Sequence, residues 1–334
     1  MDRVKPPRLR AGGNVRVVAP ASSMRGLPDA AVNRGTRNLE AIGLRVEVCP
    51  HATRDHMGTA GTPEERAEAL TDAFTDPAVD TVMCVWGGWN SNDLLPHLDP
   101  DTFRETPKPF IGYSDVTVLN NFLLGSAGLV NFQGPAFVTF THGFLMPWEV
   151  ECFRKVVMVG EAPVRLQASP TYVDDPLYYM HPEEEVVEKG NPGWRIMRGG
   201  AARGVLMGGH LESLLTLSGT EYWPDFEGSL LFLEVDEAAG PSLRVLRGLR
   251  HLEQLGVFDM VRGVFLGRTP EAAGLTLGLG LPELVIEVLG ERDVPVVAGM
   301  DFGHTNPIMT LPVGVEAEVD AEKKALTLLE PGVA

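Results

Sequence analysis

Cysteine is scarce in this chain, and the spacing of the few present excludes more than their number does. Cys49, Cys84 and Cys152 are an odd set with no C-x-x-C pair. A disulfide framework or a structural zinc site is not expected, and a reducing compartment fits. Each lies in apolar or strand-like surroundings, where a buried, inert thiol is the simplest reading. Basic charge is also short. Lys and Arg number 28 against 45 Asp and Glu, leaving a net charge of −17 with no basic stripe. Nucleic acid and anionic membranes are therefore not expected partners. No apolar run reaches the roughly 18 residues that a membrane span requires. Lys5, Arg8 and Arg10 are followed by no apolar stretch, since Arg16 interrupts the valines at 15, 17 and 18. A secretory leader is not expected, and the cytoplasm is the simplest address. Dinucleotide and Walker glycine patterns, H-E-x-x-H and paired-histidine motifs are missing, so neither cofactor nor metal is expected.

What is present is ordinary globular material. Hydrophobic residues at 44% over 334 positions suffice for two domains or one large α/β unit. Residues 14–19 predict a strand, 28–42 a helix closed by Gly43, and 44–49 a second strand. Thr62-Pro63-Glu64-Glu65 is a capping box with proline at the first helical position, opening a helix to Phe74. Residues 80–85 predict a third strand, ending in the loop Trp86-Gly87-Gly88-Trp89-Asn90-Ser91-Asn92. A short helix at 93–98, a strand and helix around Ser114, and a strand at 129–132 follow. Such alternation implies a parallel sheet covered on both faces, with ligands at the strands' carboxyl ends.

From 147 to 200 the texture changes. Asp174-Asp175-Pro176, Glu183-Glu184-Glu185 and Asn191-Pro192-Gly193 read as loops and a crossing between domains, the acidic run as a solvated face. Strands near 202–207, 229–235, 263–266 and 295–298 then alternate with helices near 210–218 and 242–255. Residues 316–319 and 325–329 read as a terminal hairpin. The expected fold is α/β. A Rossmann- or flavodoxin-like parallel-sheet domain spans 1–165, a linking segment 166–200, and a smaller β-rich α/β domain 201–334.

The stretch Pro109-Phe110-Ile111-Gly112-Tyr113-Ser114-Asp115-Val116-Thr117 organises the chemistry. A short apolar strand turns at Ser114 into a helix, which frees the hydroxyl from the ladder. The amide of Asp115 is a first-turn donor suited to a developing anion. Ser114 as a plain helix N-cap is the competing reading, because Val116 stands where G-x-S-x-G has its last glycine. A serine nucleophile needs a base and an orienting acceptor. Of eight histidines, His304 stands in Phe302-Gly303-His304-Thr305-Asn306-Pro307, a loop that Gly and Pro can aim at a cleft; a surface loop histidine is the alternative. His210, after Gly208-Gly209, is the second candidate, or simply starts a helix. Glu234 ends the apolar run Leu230-Leu231-Phe232-Leu233, so its charge must be paired or stand at the strand's mouth. Asp236 and Glu237 read as solvent-facing, with either an alternative partner for His304. Gly87-Gly88 lets backbone amides approach a substrate, Gly88 as a second oxyanion donor, or is only a tight turn.

Taken in order, Gly87-Gly88-Trp89-Asn90-Ser91-Asn92-Asp93-Leu94-Leu95-Pro96, Ile111-Gly112-Tyr113-Ser114-Asp115, Leu231-Phe232-Leu233-Glu234 and Gly303-His304-Thr305-Asn306-Pro307 resemble the LD-carboxypeptidases, serine peptidases that include the microcin C immunity proteins. The resemblance implies a Ser114–Glu234–His304 triad, oxyanion amides on Gly88 and Asp115, and a homodimer. Asn90, Asn92 and Asn191-Pro192-Gly193-Trp194 look more like the immunity branch. There the resemblance implies substrate binding by Asn90, Asn92 and His210 and a Trp194 that stacks on a nucleobase. Val235 and His210 depart from the acidic residue and asparagine frequent at those positions. The implied substrate is a small peptide or a peptidyl or aminoacyl nucleotide, cut at an amide. The alternatives are a murein tetrapeptide, an α/β-hydrolase esterase and a non-catalytic binding protein.

Overall fold

The computed structural model describes residues 2–143, 145–175 and 185–334. His181, Pro176 and the first two glutamates of the acidic run at 183–185 lie outside the described residues. Five strands, β1 (Asn14–Val18), β2 (Arg45–Val48), β3 (Thr81–Cys84), β4 (Phe110–Gly112) and β5 (Asn131–Gln133), pair in parallel in the order 2-1-3-4-5. Central strands β3 and β4 are buried throughout and, Thr81 apart, apolar, as expected of strands covered on both faces. The helix Pro63–Thr75 opens with the expected capping box: Glu65 N–H donates to Thr62 Oγ1 (3.3 Å) and Thr62 N–H to Glu65 Oε2 (3.0 Å). Its Phe74 meets Phe103 edge to face at 4.8 Å, in a core shared with Phe110 and Phe122. Each such buried ring stabilises the fold by about 2–3 kcal/mol.

The stretch read as loops instead supplies the edges of the second sheet. After the helix Pro147–Phe153 come β6 (Val164–Leu166), β7 (Thr171–Val173), β8 (Glu188–Gly190) and β9 (Arg195–Arg198). β7 and β8 form a separate antiparallel pair. Then follow β10 (Ala201–His210), β11 (Ser229–Glu234), β12 (Gly263–Gly267), β13 (Val296–Met300), β14 (Leu311–Val313), β15 (Glu316–Asp320) and β16 (Ala325–Leu328). The eight-stranded sheet runs β6-β16-β15-β10-β11-β12-β13-β9, with β10 to β13 parallel. The terminal hairpin β15–β16 is antiparallel, as the sequence implied. The helix Ser242–Gln254 turns Val245, Leu249 and Leu252 inward at helical spacing. Among the described residues, no helix is long and apolar enough to cross a membrane. The three cysteines are buried free thiols.

Two connections tie the sheets together. β14 leaves the second half of the chain and pairs antiparallel with β5 at the edge of the first sheet. The end of β10 packs on the helix Thr117–Gly125, where His210 N–H donates to Thr117 Oγ1 (2.9 Å) and Asn121 Nδ2 to Gly208 O (2.9 Å). The carboxyl ends of β3, β4, β11 and β13 thereby face one cleft.

Candidate active site

Ser114 follows β4 and has φ +63°, a left-handed conformation in a non-glycine residue. Such strain costs about 1–2 kcal/mol and is kept where it positions a reacting group. The chain goes on as a 3-10 turn, Ser114–Val116, and then the helix Thr117–Gly125. Ser114 is therefore not a cap; its Oγ lies 3.0 Å from His304 Nε2. The loop after β3 closes directly on this turn. A Cβ at Gly87 would lie 2.7 Å from Ser114 Cβ and 2.9 Å from Asp115 N, so only glycine fits. Gly88, at φ +151°, would carry a Cβ into Ser22 Oγ. The buried Asp115 carboxylate fastens the two pieces: Ser91 N–H donates to its Oδ2 (2.8 Å) and Ser213 Oγ to its Oδ1 (3.3 Å). Among the described residues, the N–H groups of Gly88 and Asp115 donate to no protein acceptor, which leaves both able to receive an anion.

Glu234 ends β11 fully buried, and its Oε2 lies 2.7 Å from His304 Nδ1. Burial works to raise the Glu234 carboxyl, but the charge and hydrogen bond of His304, with His210, hold it below its ordinary value. Burial likewise pulls His304 down, yet Glu234, Glu237 and Asp236 outweigh it and raise the imidazole to about 9. Tyr113 meets the His304 ring edge to face at 5.2 Å. The His304 loop closes on Glu234 because Gly303 has no side chain there. Its far end is held by Ile308 N–H donating to Glu149 Oε2 (2.6 Å), a carboxyl that burial pushes up to about 8 despite that bond.

Four substrate-binding expectations meet a different structure. Trp194 is 1% exposed and its indole N–H donates to Asp301 Oδ2 (2.9 Å). Asp301 also accepts from Asn191 Nδ2 (2.7 Å), Ser169 N–H (3.2 Å) and Arg268 Nη2 (3.1 Å). Trp194 is thus a buried post under the start of the His304 loop, with no ring face open to a base. His210 is 3% exposed and sits behind the histidine of the cleft, ring centroids 5.6 Å apart. Its Nδ1 pairs with Ser213 Oγ (3.0 Å), because the backbone bond to Thr117 pins the residue in the seam. Asn90 and Asn92 do not line the cleft. The Ser91–Asp115 bond starts the 3-10 helix Ser91–His97 there, and Asn90 is exposed with its carbonyl taken by Arg66 Nη1 (3.0 Å).

The cleft is lined by Ser114, His304 and the Gly87-Gly88 loop together with residues that carried no expectation, Ser22 and Val138. It encloses about 250 Å³ between Ser22, Trp86, Gly87, Gly88, Trp89, Tyr113, Ser114, Val138, Asp236, Glu237 and His304. Trp89 is 61% exposed at its mouth. Asp236, read as solvent-facing, is 9% exposed. The signal that could have found Ser22, and placed Asp236 and Glu237 at the cleft and not in solvent, is their position past the carboxyl ends of β1 and β11.

Comparison with known proteins agrees with this architecture. Residues 15–134 match the LD-carboxypeptidase N-terminal domain and residues 203–319 the LD-carboxypeptidase C-terminal domain. A putative carboxypeptidase of Treponema pallidum is 32% identical over 96% of this chain and 93% of its own. The crystal structure of an MccF-like protein from Bacillus anthracis superposes with a TM-score of 0.90 at 31% identity, covering 97% of this chain and 99% of that one. The microcin C7 self-immunity protein MccF in complex with aspartyl sulfamoyl adenosine superposes at 0.91 with 26% identity, over 99% and 100%. The chain belongs to the LD-carboxypeptidase family of peptidases.

Proposed function

We propose that the protein is a serine-type amidase that splits the acyl–nitrogen bond of an aminoacyl or peptidyl nucleotide, with Ser114 as nucleophile, His304 as base and Glu234 as its orienting acceptor. The observation that carries this reading is the continuous chain from Ser114 Oγ through both nitrogens of His304 to Glu234 at the foot of the cleft. His304 Nε2 takes the hydroxyl proton as Ser114 Oγ bonds to the carbonyl carbon. The carbonyl oxygen becomes an anion facing the amides of Gly88 and Asp115, each worth about 3 kcal/mol of barrier by analogy with other oxyanion holes. His304 then returns the proton to the leaving nitrogen as the carbon–nitrogen bond breaks. Water attacks the acyl-serine with the same histidine as base, releasing the acid and restoring Ser114.

The likeness to a structure holding an aminoacyl sulfamoyl nucleoside supports a nucleotide-bearing substrate. Trp89, exposed at the cleft mouth, offers the flat apolar face that Trp194 does not. The test is turnover of the purified protein on an aminoacyl-sulfamoyl adenosine and a murein tetrapeptide side by side. Faster release of the sulfamoyl nucleoside is expected; cleavage of the muropeptide alone would reassign the substrate to cell-wall peptides. Because the base works only when neutral and His304 is held up at about 9, kcat/KM should rise about tenfold per pH unit up to that region. A pH–rate profile that levels at or below 6.5 would contradict it.

A further inference from the structure

Two carboxylates of the cleft take no direct part in the bond making and breaking just described. Among the described residues lining the cleft, the carboxylates are Asp236 and Glu237, and no lysine or arginine is present. Both follow β11 on the turn that begins past Glu234. Glu237 Oε2 is buried and makes no hydrogen bond among the described residues. Asp236 Oδ1 accepts from Ala238 N–H (3.0 Å), while its Oδ2 lies 3.7 Å from His210 Nε2, beyond hydrogen-bond distance. The nearby arginine is already committed, since Arg244 Nε pairs with Glu212 at 2.6 Å and its Nη1 donates to Ala238 O. A desolvated carboxylate oxygen without a partner is costly unless a donor or cation comes to it. Across the same cleft stand Trp86, Trp89 and Tyr113, whose ring faces attract cations and repel anions.

We propose that Glu237, with Asp236 beside it, is a recognition site for an ammonium or guanidinium group on the substrate residue that flanks the scissile bond. The enzyme then selects cationic acyl groups and rejects acidic ones. The inference rests on the hydrolase reading for the position of the bond cut, but the charge preference comes from the cleft itself. Two sources would supply the cation, a free α-amino group or a basic side chain, and the ligand series separates them.

The test is a binding series on the full chain carrying Ser114→Ala, so that no turnover is needed. The ligands are lysyl-, norleucyl- and glutamyl-sulfamoyl adenosine together with the hexanoyl analogue, which lacks the α-amine of the norleucyl compound. Lysyl against norleucyl reports the side-chain cation, and norleucyl against hexanoyl the α-ammonium. One of these ratios should be about 10- to 100-fold in favour of the cation, the range of a charge-assisted hydrogen bond, with glutamyl the weakest aminoacyl ligand. Adding Glu237→Gln should bring that ratio to within about threefold of one. Ratios taken within one protein cancel any loss of folded fraction. Ratios near one in the Ser114→Ala protein, ratios indifferent to Glu237→Gln, or no binding at all would overturn the proposal. Turnover of the neutral substrates by the unsubstituted enzyme without charge preference would sink this inference and leave the amidase reading standing. Tight, charge-selective binding without turnover would do the reverse.

Discussion

Ser114→Ala should lower kcat/KM by roughly 10⁴-fold or more, the scale on which hydrolases of this kind lose rate with their nucleophile, while substrate binding stays within a few-fold. Among the described residues the hydroxyl makes one hydrogen bond, to His304 Nε2, and its removal leaves an imidazole with nothing to deprotonate except water. Stability should change little. Serine already occupies the left-handed conformation at φ +63°, so alanine inherits the strain instead of adding it. The result is read from single-turnover kinetics beside a thermal melt. Turnover at the parent rate with an unchanged melting curve would remove Ser114 from the reaction.

Glu234→Gln should cost about 10³- to 10⁴-fold, and for a different reason. Glu234 is fully buried and accepts from His304 Nδ1; in the proposed mechanism it both fixes the tautomer and opposes the positive charge that His304 gains in the transition state. Glutamine fills the same volume without the charge. If its amide N–H₂ faces the ring, the proton moves to Nε2 and the histidine can no longer accept from Ser114. If its oxygen faces the ring, the tautomer survives but the imidazolium is unsupported in a buried site. Burial, the largest influence on His304, would then be opposed only by Glu237 and Asp236. The rising limb of the pH–rate profile should therefore move to lower pH while its plateau falls. A variant with parent activity, or with a lower rate and an unmoved limb, would show that Glu234 does not act through His304.

The parts of the fold and site legible in the sequence were those where a local rule set a residue apart from its neighbours, even where a plainer reading competed. Glu234 ends a run of buried aliphatic residues, and a charge in that place needs a partner. His304 stands in a loop that Gly303 and Pro307 leave few ways to run. Ser114 stands where an apolar strand meets a helical pattern. These three side chains come from the turn after β4, the end of β11 and the loop after β13, and His304 stands within hydrogen-bonding distance of the other two. What was not legible depended on tertiary direction. Trp194 follows Asn-Pro-Gly and reads as a loop residue, yet Asp301, more than a hundred positions later, draws its indole into the core. Asn90 and Asn92 sit beside a glycine pair aimed at the cleft, but the carboxylate of Asp115 diverts the chain into a 3-10 helix. β14 carries Pro312 in its middle, which argues against a strand; pairing along a sheet edge is where proline is tolerated. Strands β6 to β9 are three or four residues long and mostly half-exposed, too short for alternation to show.

Hydrolysis by this site requires that the hydroxyl at 114 be more nucleophilic than any other serine in the chain. Incubation with a fluorophosphonate, followed by peptide mass spectrometry, measures that directly. One adduct per chain is expected, on the peptide containing Ser114, forming faster as pH rises and nearly abolished by His304→Ala. An unlabelled protein, or an adduct that forms at another residue and ignores His304, would contradict the account.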